Sequence, residues 1–89
     1  MLVFVQVVLD RTTPEVFDAF KSAVQSRSEI LECHMVAGGF DYLLKARVRD
    51  MRAYREFTAS AIWALPGVRE THTYVVMEEV KETAVLPLR

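Results

Sequence analysis

Glycine, an acid and aromatic side chains come together in one short stretch of the chain, residues 36–42, which read VAGGFDY. Gly38 and Gly39 allow backbone conformations that are closed to other residues and let a small molecule approach main-chain N–H groups. Asp41 adds a carboxylate that can hold an ammonium group. We therefore predict a ligand site here. The alternative is a simple turn, in which Asp41 accepts hydrogen bonds from nearby backbone.

The other reactive side chains do not form a catalytic or metal-binding set. Cys33 and His34 are neighbours on a predicted strand, so they point to opposite faces and cannot readily act together. No serine, second cysteine or paired carboxylate is placed around them for nucleophilic catalysis. We expect no enzyme activity, no metal and no cofactor. His72 is predicted to be a surface or interface residue that can make assembly sensitive to pH.

Length and composition limit what such a site can belong to. With 89 residues and 52% hydrophobic content, residues 1–89 make one domain. A domain of this size buries only roughly 60% of its unfolded surface, so we expect a homo-oligomer. The net charge is −1, from 11 Lys and Arg against 12 Asp and Glu, and no basic cluster stands out. Nucleic-acid binding by this segment alone is not predicted.

The single Cys33 excludes an internal disulfide and cannot assemble a zinc site, which favours a reducing, cytoplasmic location. No apolar stretch approaches the roughly 20 residues of a membrane span. The N-terminus lacks the basic region of a signal peptide. Neither a membrane nor a secretory route is expected.

Hydrophobic periodicity predicts six elements in the order βαββαβ. This is the α+β, ferredoxin-like sandwich, an antiparallel sheet with two helices on one face. The predicted strands are 2–9, 30–36, 42–48 and 68–77, with residues 37–40 as a hairpin joint and 78–88 as a short edge strand or tail. Since residues 2–9 are almost all apolar, that strand is placed in the middle of the sheet.

Both helices have recognisable start signals. Thr12, Pro14 and Glu15 fit a capped first turn, and Val16, Phe20 and Val24 then define an apolar stripe. Asp50 caps the second helix, which is predicted to end at Pro66-Gly67. Its apolar side is predicted to carry Met51, Tyr54, Phe57, Ala61 and Leu65. The opposite face of the sheet then has no helix over it, so we expect it to pack on a second copy as a sheet-on-sheet dimer.

Five segments of this chain, taken in order, resemble the Lrp/AsnC regulators and together cover nearly its whole length: 31–34, 36–44, 50–54, 65–68 and 73–81. The resemblance implies a ferredoxin-like domain that binds an amino acid such as leucine between dimers. It also implies that dimers assemble into rings, commonly tetramers of dimers, and that ligand shifts the assembly state. DNA binding in that family belongs to a separate helix-turn-helix domain.

The resemblance also assigns effector residues at matching positions. They are the hairpin residues Gly38, Gly39, Phe40 and Asp41, with Met51 at the start of the second helix and Tyr74, Val75 and Val76 in the last strand. By chemistry, backbone amides near Gly38 and Gly39 suit a carboxylate, and Asp41 suits an ammonium group. Met35, Met51 and Val76 are hypothesised to contact an aliphatic side chain, although methionine is also a common filler of irregular gaps.

The chain departs from the family pattern at three points. It shows no helix-turn-helix segment, so it is expected to be part of a longer regulator or else a stand-alone effector domain. Relatives often carry Asp or Asn where Gly39 stands, and this difference is expected to affect which amino acid fits the site. Residues 58–63 are less leucine-rich than in relatives, which bears on packing near Trp63.

Two other functions are compatible with this sheet arrangement. One is a dimeric ferredoxin-like enzyme of the monooxygenase or isomerase type, which would have its acid–base group in a cavity inside each protomer. The other is an assembly module without effector binding. The position of a bound ligand distinguishes the enzyme from a sensor. Calorimetry against the common amino acids distinguishes the assembly module, which would give no heat of binding.

Overall fold

The computed structural model describes residues 1–82, which form a four-stranded antiparallel sheet with its helices on one face. The order of elements confirms the βαββαβ prediction. The bounds are β1 Leu2–Leu9, α1 Pro14–Gln25, β2 Ile30–Met35, β3 Tyr42–Arg47, α2 Met51–Phe57, a π-helical turn Thr58–Ile62, and β4 Val68–Val75.

The strands lie in the order β2-β3-β1-β4, so β1 is central as predicted, and β2 and β4 are the edges. Alternate β1 residues Val3, Val5 and Val7 are fully buried against the helices. They pair with Ala46, Leu44 and Tyr42 of β3, which are also buried. Because side chains alternate along a strand, this register gives one sheet face to the core. No helix of residues 1–82 covers the other face.

The start of α1 differs by one residue from the sequence prediction. Thr13, in extended conformation, is the N-cap, and its Oγ1 accepts a hydrogen bond from the Val16 amide at 3.4 Å. Thr12 is therefore not the cap. Pro14 occupies the first helical position, where its missing N–H costs nothing. Phe20 and Val24 of the predicted stripe are buried in the core.

The second helix does not continue to Pro66-Gly67. After Phe57 it widens into the π turn, in which the Trp63 amide donates to the carbonyl of Thr58, five residues back, at 3.0 Å. The hydroxyl of Ser60 donates to the Glu56 carbonyl at 2.7 Å, and such side-chain bonds to the preceding turn bend helices.

The wider turn shifts which residues face the core. Ile62 is buried beside Ala61, and Trp63 becomes 72% exposed. The predicted apolar side is confirmed for Phe57, Ala61 and Leu65, all buried. It is wrong for Met51, which lies outside the core and is 54% exposed.

The last strand is two residues shorter than predicted and ends at Val75. The Val76 amide still donates to the Leu2 carbonyl at 2.9 Å. Residues 78–82 form no strand. In this segment Glu79 forms an ion pair with Arg47 of β3, with its Oε1 3.3 Å from the guanidinium nitrogen. Arg47 lies at the end of the sheet, where it pairs with Leu2 of β1. The rest of the predicted edge strand, residues 83–88, lies outside the described residues.

The helix-free face is less apolar than the sequence predicts. Phe4 lies at its centre, between Lys45 on β3 and Tyr74 on β4. The next row places Gln6 between Leu43 and His72, so each row mixes apolar and polar side chains. The face is therefore a mixed surface, suited to a partner that offers hydrogen bonds as well as apolar contact.

Candidate ligand-binding site

The predicted hairpin site is an exposed loop at one end of the sheet. The loop closes where the Val36 amide donates to the Asp41 carbonyl at 3.0 Å, and residues 37–40 project beyond the strands. Ala37, Gly38 and Gly39 are exposed, and Phe40 is partly covered. The main-chain groups at the tip can therefore be reached by a small molecule.

The two glycines do not use the conformations that only glycine can adopt. Neither Gly38 nor Gly39 has a positive φ, and a Cβ added to either would have no neighbouring heavy atom within 4 Å. The prediction that Gly38 and Gly39 use backbone conformations closed to other residues is thus wrong, because the six-residue loop 36–41 closes without strained dihedrals. What the glycines provide is open space beside the main chain.

Asp41 fixes the base of the loop to the central strand. Its amide donates to the Val7 carbonyl at 2.9 Å, and its Oδ2 accepts from the Leu9 amide at 2.8 Å. The carboxylate thus supplies an acceptor for a β1 amide at the point where the chain leaves the sheet. The sequence predicts that Asp41 holds an ammonium group or accepts hydrogen bonds from nearby backbone in a turn. The bond from Leu9 is neither of these, because Leu9 is distant in sequence. A carboxylate accepts several hydrogen bonds, so the side chain keeps capacity for an ammonium group.

The structure does not bring all predicted effector residues together. Those of the hairpin, with Met35, lie at the end of the sheet where β1 finishes. Met51 and residues 74–76 lie at the opposite end, where β1 begins. Asp41 is hydrogen-bonded to Val7 of β1, and Val76 is hydrogen-bonded to Leu2 of the same strand. The five residues from Leu2 to Val7 span roughly 17 Å, at about 3.4 Å per residue in a strand. No small ligand can contact both groups of one chain.

Met35 is separated from the hairpin tip in another way. Its register with Tyr42 places it on the helix side of the sheet, where it lines a groove with Cys33 and the second half of α1. Burial raises the pKa of the Cys33 thiol. Burial, followed by the nearby Cys33, Asp41 and Asp18, raises the pKa of Tyr42. Both groups therefore stay protonated at neutral pH.

His34 lies on the other face of the same strand, opposite Leu43, so the predicted separation of Cys33 from His34 is confirmed. Its Nε2 lies 3.0 Å from Glu32 Oε1, and Lys45 Nζ lies 3.5 Å from Glu32 Oε2. The hydrogen bond from His34, and then the charge of Lys45, lower the pKa of the Glu32 carboxyl. In residues 1–82 no three His, Cys, Asp or Glu side chains are grouped as a metal site.

A second cleft, of about 400 Å³, was not predicted from the sequence and lies away from the hairpin. It separates the end of β3 from α2 and the π turn, and Arg47, Arg49, Glu29 and Glu56 are among its lining residues. The Arg27 guanidinium reaches the Ser60 carbonyl of the π turn. Since the π turn helps form this cleft and carries no distinct sequence signal, periodicity could not have found it.

Comparison with known proteins assigns the family. Residues 2–86 match the family described as the Lrp/AsnC ligand binding domain. The chain belongs to the Lrp/AsnC family. The resemblance predicted from the residues is thus confirmed, and Lrp/AsnC relatives include a leucine-responsive regulatory protein of Klebsiella pneumoniae that is 55% identical over all 89 residues. The chain spans about half the length of the curated relatives it matches, 54% in this case.

Solved structures confirm the fold. A transcriptional regulator of Neisseria meningitidis, crystallised with L-methionine, superposes with a TM-score of 0.87 at 30% identity over 97% of this chain and 55% of its own. An AsnC family regulator of Agrobacterium tumefaciens gives 0.86 at 30% identity, over 97% and 56%. The ferredoxin-like sandwich of this Lrp/AsnC domain is therefore shared with regulators of known structure. None of the helices in the described segment is long and apolar enough to cross a membrane.

Proposed function

We propose that this chain is the amino-acid-sensing and oligomerisation domain of an Lrp/AsnC-type transcription regulator, with leucine as the first candidate effector. The exposed hairpin carries the proposal, because its accessible amides and anchored carboxylate are the groups that a zwitterion requires. A family described as ligand-binding, a relative crystallised with L-methionine and relatives named leucine-responsive support it.

Each end of the amino acid has a proposed partner in the hairpin. Amides near Gly38 and Gly39 hold the carboxylate, in the open space that the missing side chains leave. Asp41 holds the ammonium group while Leu9 keeps the carboxylate of Asp41 oriented. Phe40 flanks the ligand. This arrangement explains why a position that carries a side chain in many relatives can be Gly39 without loss of the backbone site.

The opposite end of the sheet completes the site from a second chain. Since roughly 17 Å separates the hairpin from Val76 within one chain, a ligand that contacts both groups lies between two copies. Met51, 54% exposed, offers apolar surface for the ligand side chain or for the neighbouring hairpin. Tyr74, 52% exposed, lies one residue further in, beside Phe4 on the helix-free face, and borders both the proposed site and the proposed dimer interface. Val75 and Val76 shape the same end.

Assembly then becomes the output of ligand binding. A ligand that contacts two chains binds one assembly state better than another, and it shifts the equilibrium by that difference in affinity. Dimers form through the helix-free face around Phe4, and the sheet ends join dimers into rings, for which four dimers is our working stoichiometry. A separate helix-turn-helix domain contacts DNA, so re-spacing of the ring alters which operator sites are occupied together.

The same arrangement argues against the other two functions. The helix-facing interior of residues 1–82 has no buried charged side chain, and the raised pKa of the buried Tyr42 hydroxyl keeps that group protonated and so a poor base, which disfavours the enzyme. The anchored hairpin favours a sensor over an assembly-only module. As a gene regulator the protein acts in the cytoplasm.

Sedimentation velocity of the isolated chain with leucine, methionine and the other common amino acids tests the proposal. We expect leucine, or another aliphatic amino acid, to change the distribution between dimers and larger rings without DNA. The matched Asp41→Asn chain should lose the response and still form dimers. Assembly that no amino acid alters, with no heat of binding by calorimetry, would contradict the proposal.

A further inference from the structure

A groove of about 340 Å³ lies within one chain, between the second half of α1 and the edge strand β2. Its volume is at the lower end of the roughly 300–1,000 Å³ usual for ligand sites, so it suits a small molecule. Its walls are formed by Lys21, Val24, Gln25, Cys33, Met35 and Tyr42. It opens on the helix side of the sheet, away from the tip of the hairpin.

The inner wall contains a buried polar group without a partner. Tyr42 is 2% exposed, and its hydroxyl makes no hydrogen bond within the described residues. Its ring is held by Phe20 at 4.5 Å and Phe17 at 6.1 Å between centroids, so it cannot swing to another partner without disturbing the core. An unpaired buried hydroxyl is costly, so each one in a native protein calls for a structural or functional explanation.

The chemistry of the walls selects the kind of ligand. The Tyr42 hydroxyl stays protonated and so can donate a hydrogen bond, and Lys21 brings a positive charge to the same groove. No lining residue is acidic. Asp18 and Asp41 lie outside the lining, although their charges reach Tyr42 and, after burial, help to raise its pKa. Val24, Cys33 and Met35 form an apolar wall. Met35 is 57% exposed and flexible, so it can move to admit a ligand.

We propose that this groove binds a small aliphatic carboxylate that lacks an ammonium group. The carboxylate pairs with Lys21 and, once Met35 has moved aside, accepts a hydrogen bond from the Tyr42 hydroxyl, which is closed to solvent in the free chain. The aliphatic tail lies against Val24, Cys33 and Met35. This site is contained in a single chain and is separate from the hairpin site between chains. The domain therefore distinguishes an amino acid from the corresponding acid without its amine by binding them at different places.

Hexanoate is the probe, with hexylamine as the matched cation, titrated into the full chain and followed by the methyl signals of Met35 in NMR spectra. We expect hexanoate to bind and hexylamine not to bind. Tyr42→Phe should weaken hexanoate about tenfold, as the loss of a hydrogen bond to a charged group predicts, and should not lower the melting temperature. Arg52→Gln, on the solvent side of α2, is the control and should leave hexanoate affinity unchanged.

A second measurement uses the thiol in the groove wall. Hexanoate at saturating concentration should slow the alkylation of Cys33 by iodoacetamide, and hexylamine should not. Equal hexanoate affinity of the wild-type chain and Tyr42→Phe, equal binding of hexylamine, or an unprotected Cys33 would overturn the proposal.

The Asp41→Asn chain separates this proposal from the sensor function. Hexanoate binding should persist in that chain while the leucine response disappears. A chain that responds to leucine but does not bind hexanoate keeps the sensor function and removes only the groove site.

Discussion

The carboxylate of Asp41 accepts a hydrogen bond from the backbone amide of Leu9 at 2.8 Å, although 32 residues separate them in sequence. The bond ties the hairpin to the end of the central strand. It gives Asp41 two duties in the proposed site, since the side chain that meets the ligand also positions the loop.

Asparagine and alanine at position 41 separate these two duties. Asp41→Asn keeps an oxygen for the Leu9 amide, so the free energy of unfolding should change by less than about 0.5 kcal/mol, whereas Asp41→Ala should lose about 1–2 kcal/mol. Both should weaken amino-acid binding at least about tenfold, because the ammonium group loses its counter-charge. Urea unfolding and calorimetry measure the two effects. Unchanged leucine affinity in Asp41→Asn would remove the ammonium anchor.

Gly67 is the glycine whose conformation matters for the fold. Its φ is +75°, and an added Cβ would lie 2.6 Å from Cγ1 of Val16. Gly67→Ala should therefore cost about 2–4 kcal/mol of unfolding free energy, from left-handed strain and the clash. Gly38→Ala, in open space, should cost less than about 0.5 kcal/mol.

Urea unfolding at one fixed protein concentration compares the two glycine variants, because assembly contributes to stability. Adding Val16→Ala to Gly67→Ala should recover the part of the loss that is due to the clash. Similar losses for the variants at positions 38 and 67 would show that the backbone differs from this structure.

The sequence was most informative where local patterns and burial agree. The apolar run of β1 predicted the central strand. In β4, Thr73 pairs with the buried Val5, and Tyr74 pairs with Phe4 on the open face. These are consequences of a period of two, which any strand in a half-covered sheet must show. The meeting of glycine, an acid and aromatics indicated the hairpin as the candidate site, and the family resemblance then added Met51 and residues 74–76.

The features that sequence missed depend on choices between competing hydrogen bonds. Ser60 bonds to the preceding turn and the helix widens, although its local sequence would also allow a regular α-helix. The Leu9–Asp41 bond depends on register between distant segments. The pairing of Gly38-Gly39 suggested special dihedrals, but the loop is long enough to close without them. Periodicity contains none of this information.

Phe4 tests the helix-free face as the dimer interface. Phe4→Glu places a charge at the centre of that face, next to Lys45, which can pair with it in the monomer. Desolvating the new charge should weaken the dimer at least about 100-fold while circular dichroism shows an intact fold. Trp63→Glu, an exposed aromatic on the helix side, is the matched control for the monomer–dimer step. Dimers that survive Phe4→Glu would place the interface elsewhere.

Glu32 predicts a change of stability in acid. Contacts with His34 and Lys45 lower its pKa in the folded chain below the ordinary value of 4.5. The contribution of Glu32 is therefore present above that value and is lost as the pH falls through the lower, folded value. Glu32→Gln should flatten this part of the pH profile in urea unfolding between about pH 3 and 7. The effect of Glu32→Gln should shrink in a Lys45→Met background, and an unaltered profile would exclude this linkage.

Subunit mixing decides whether the two ends of the sheet form one site. If the hairpin of one chain meets Met51 of another, Asp41→Ala and Met51→Glu chains should each fail to bind leucine alone. A 1:1 mixture, exchanged by reversible dissociation, should regain roughly one quarter of the sites, because random pairing joins an intact hairpin to an intact Met51 end with that frequency. Calorimetry counts the sites. Recovery requires that the two groups come from different chains, since a site within one chain would remain damaged in every subunit. No recovery, with exchange verified by mass-labelled subunits, would show that the ends of the sheet act separately.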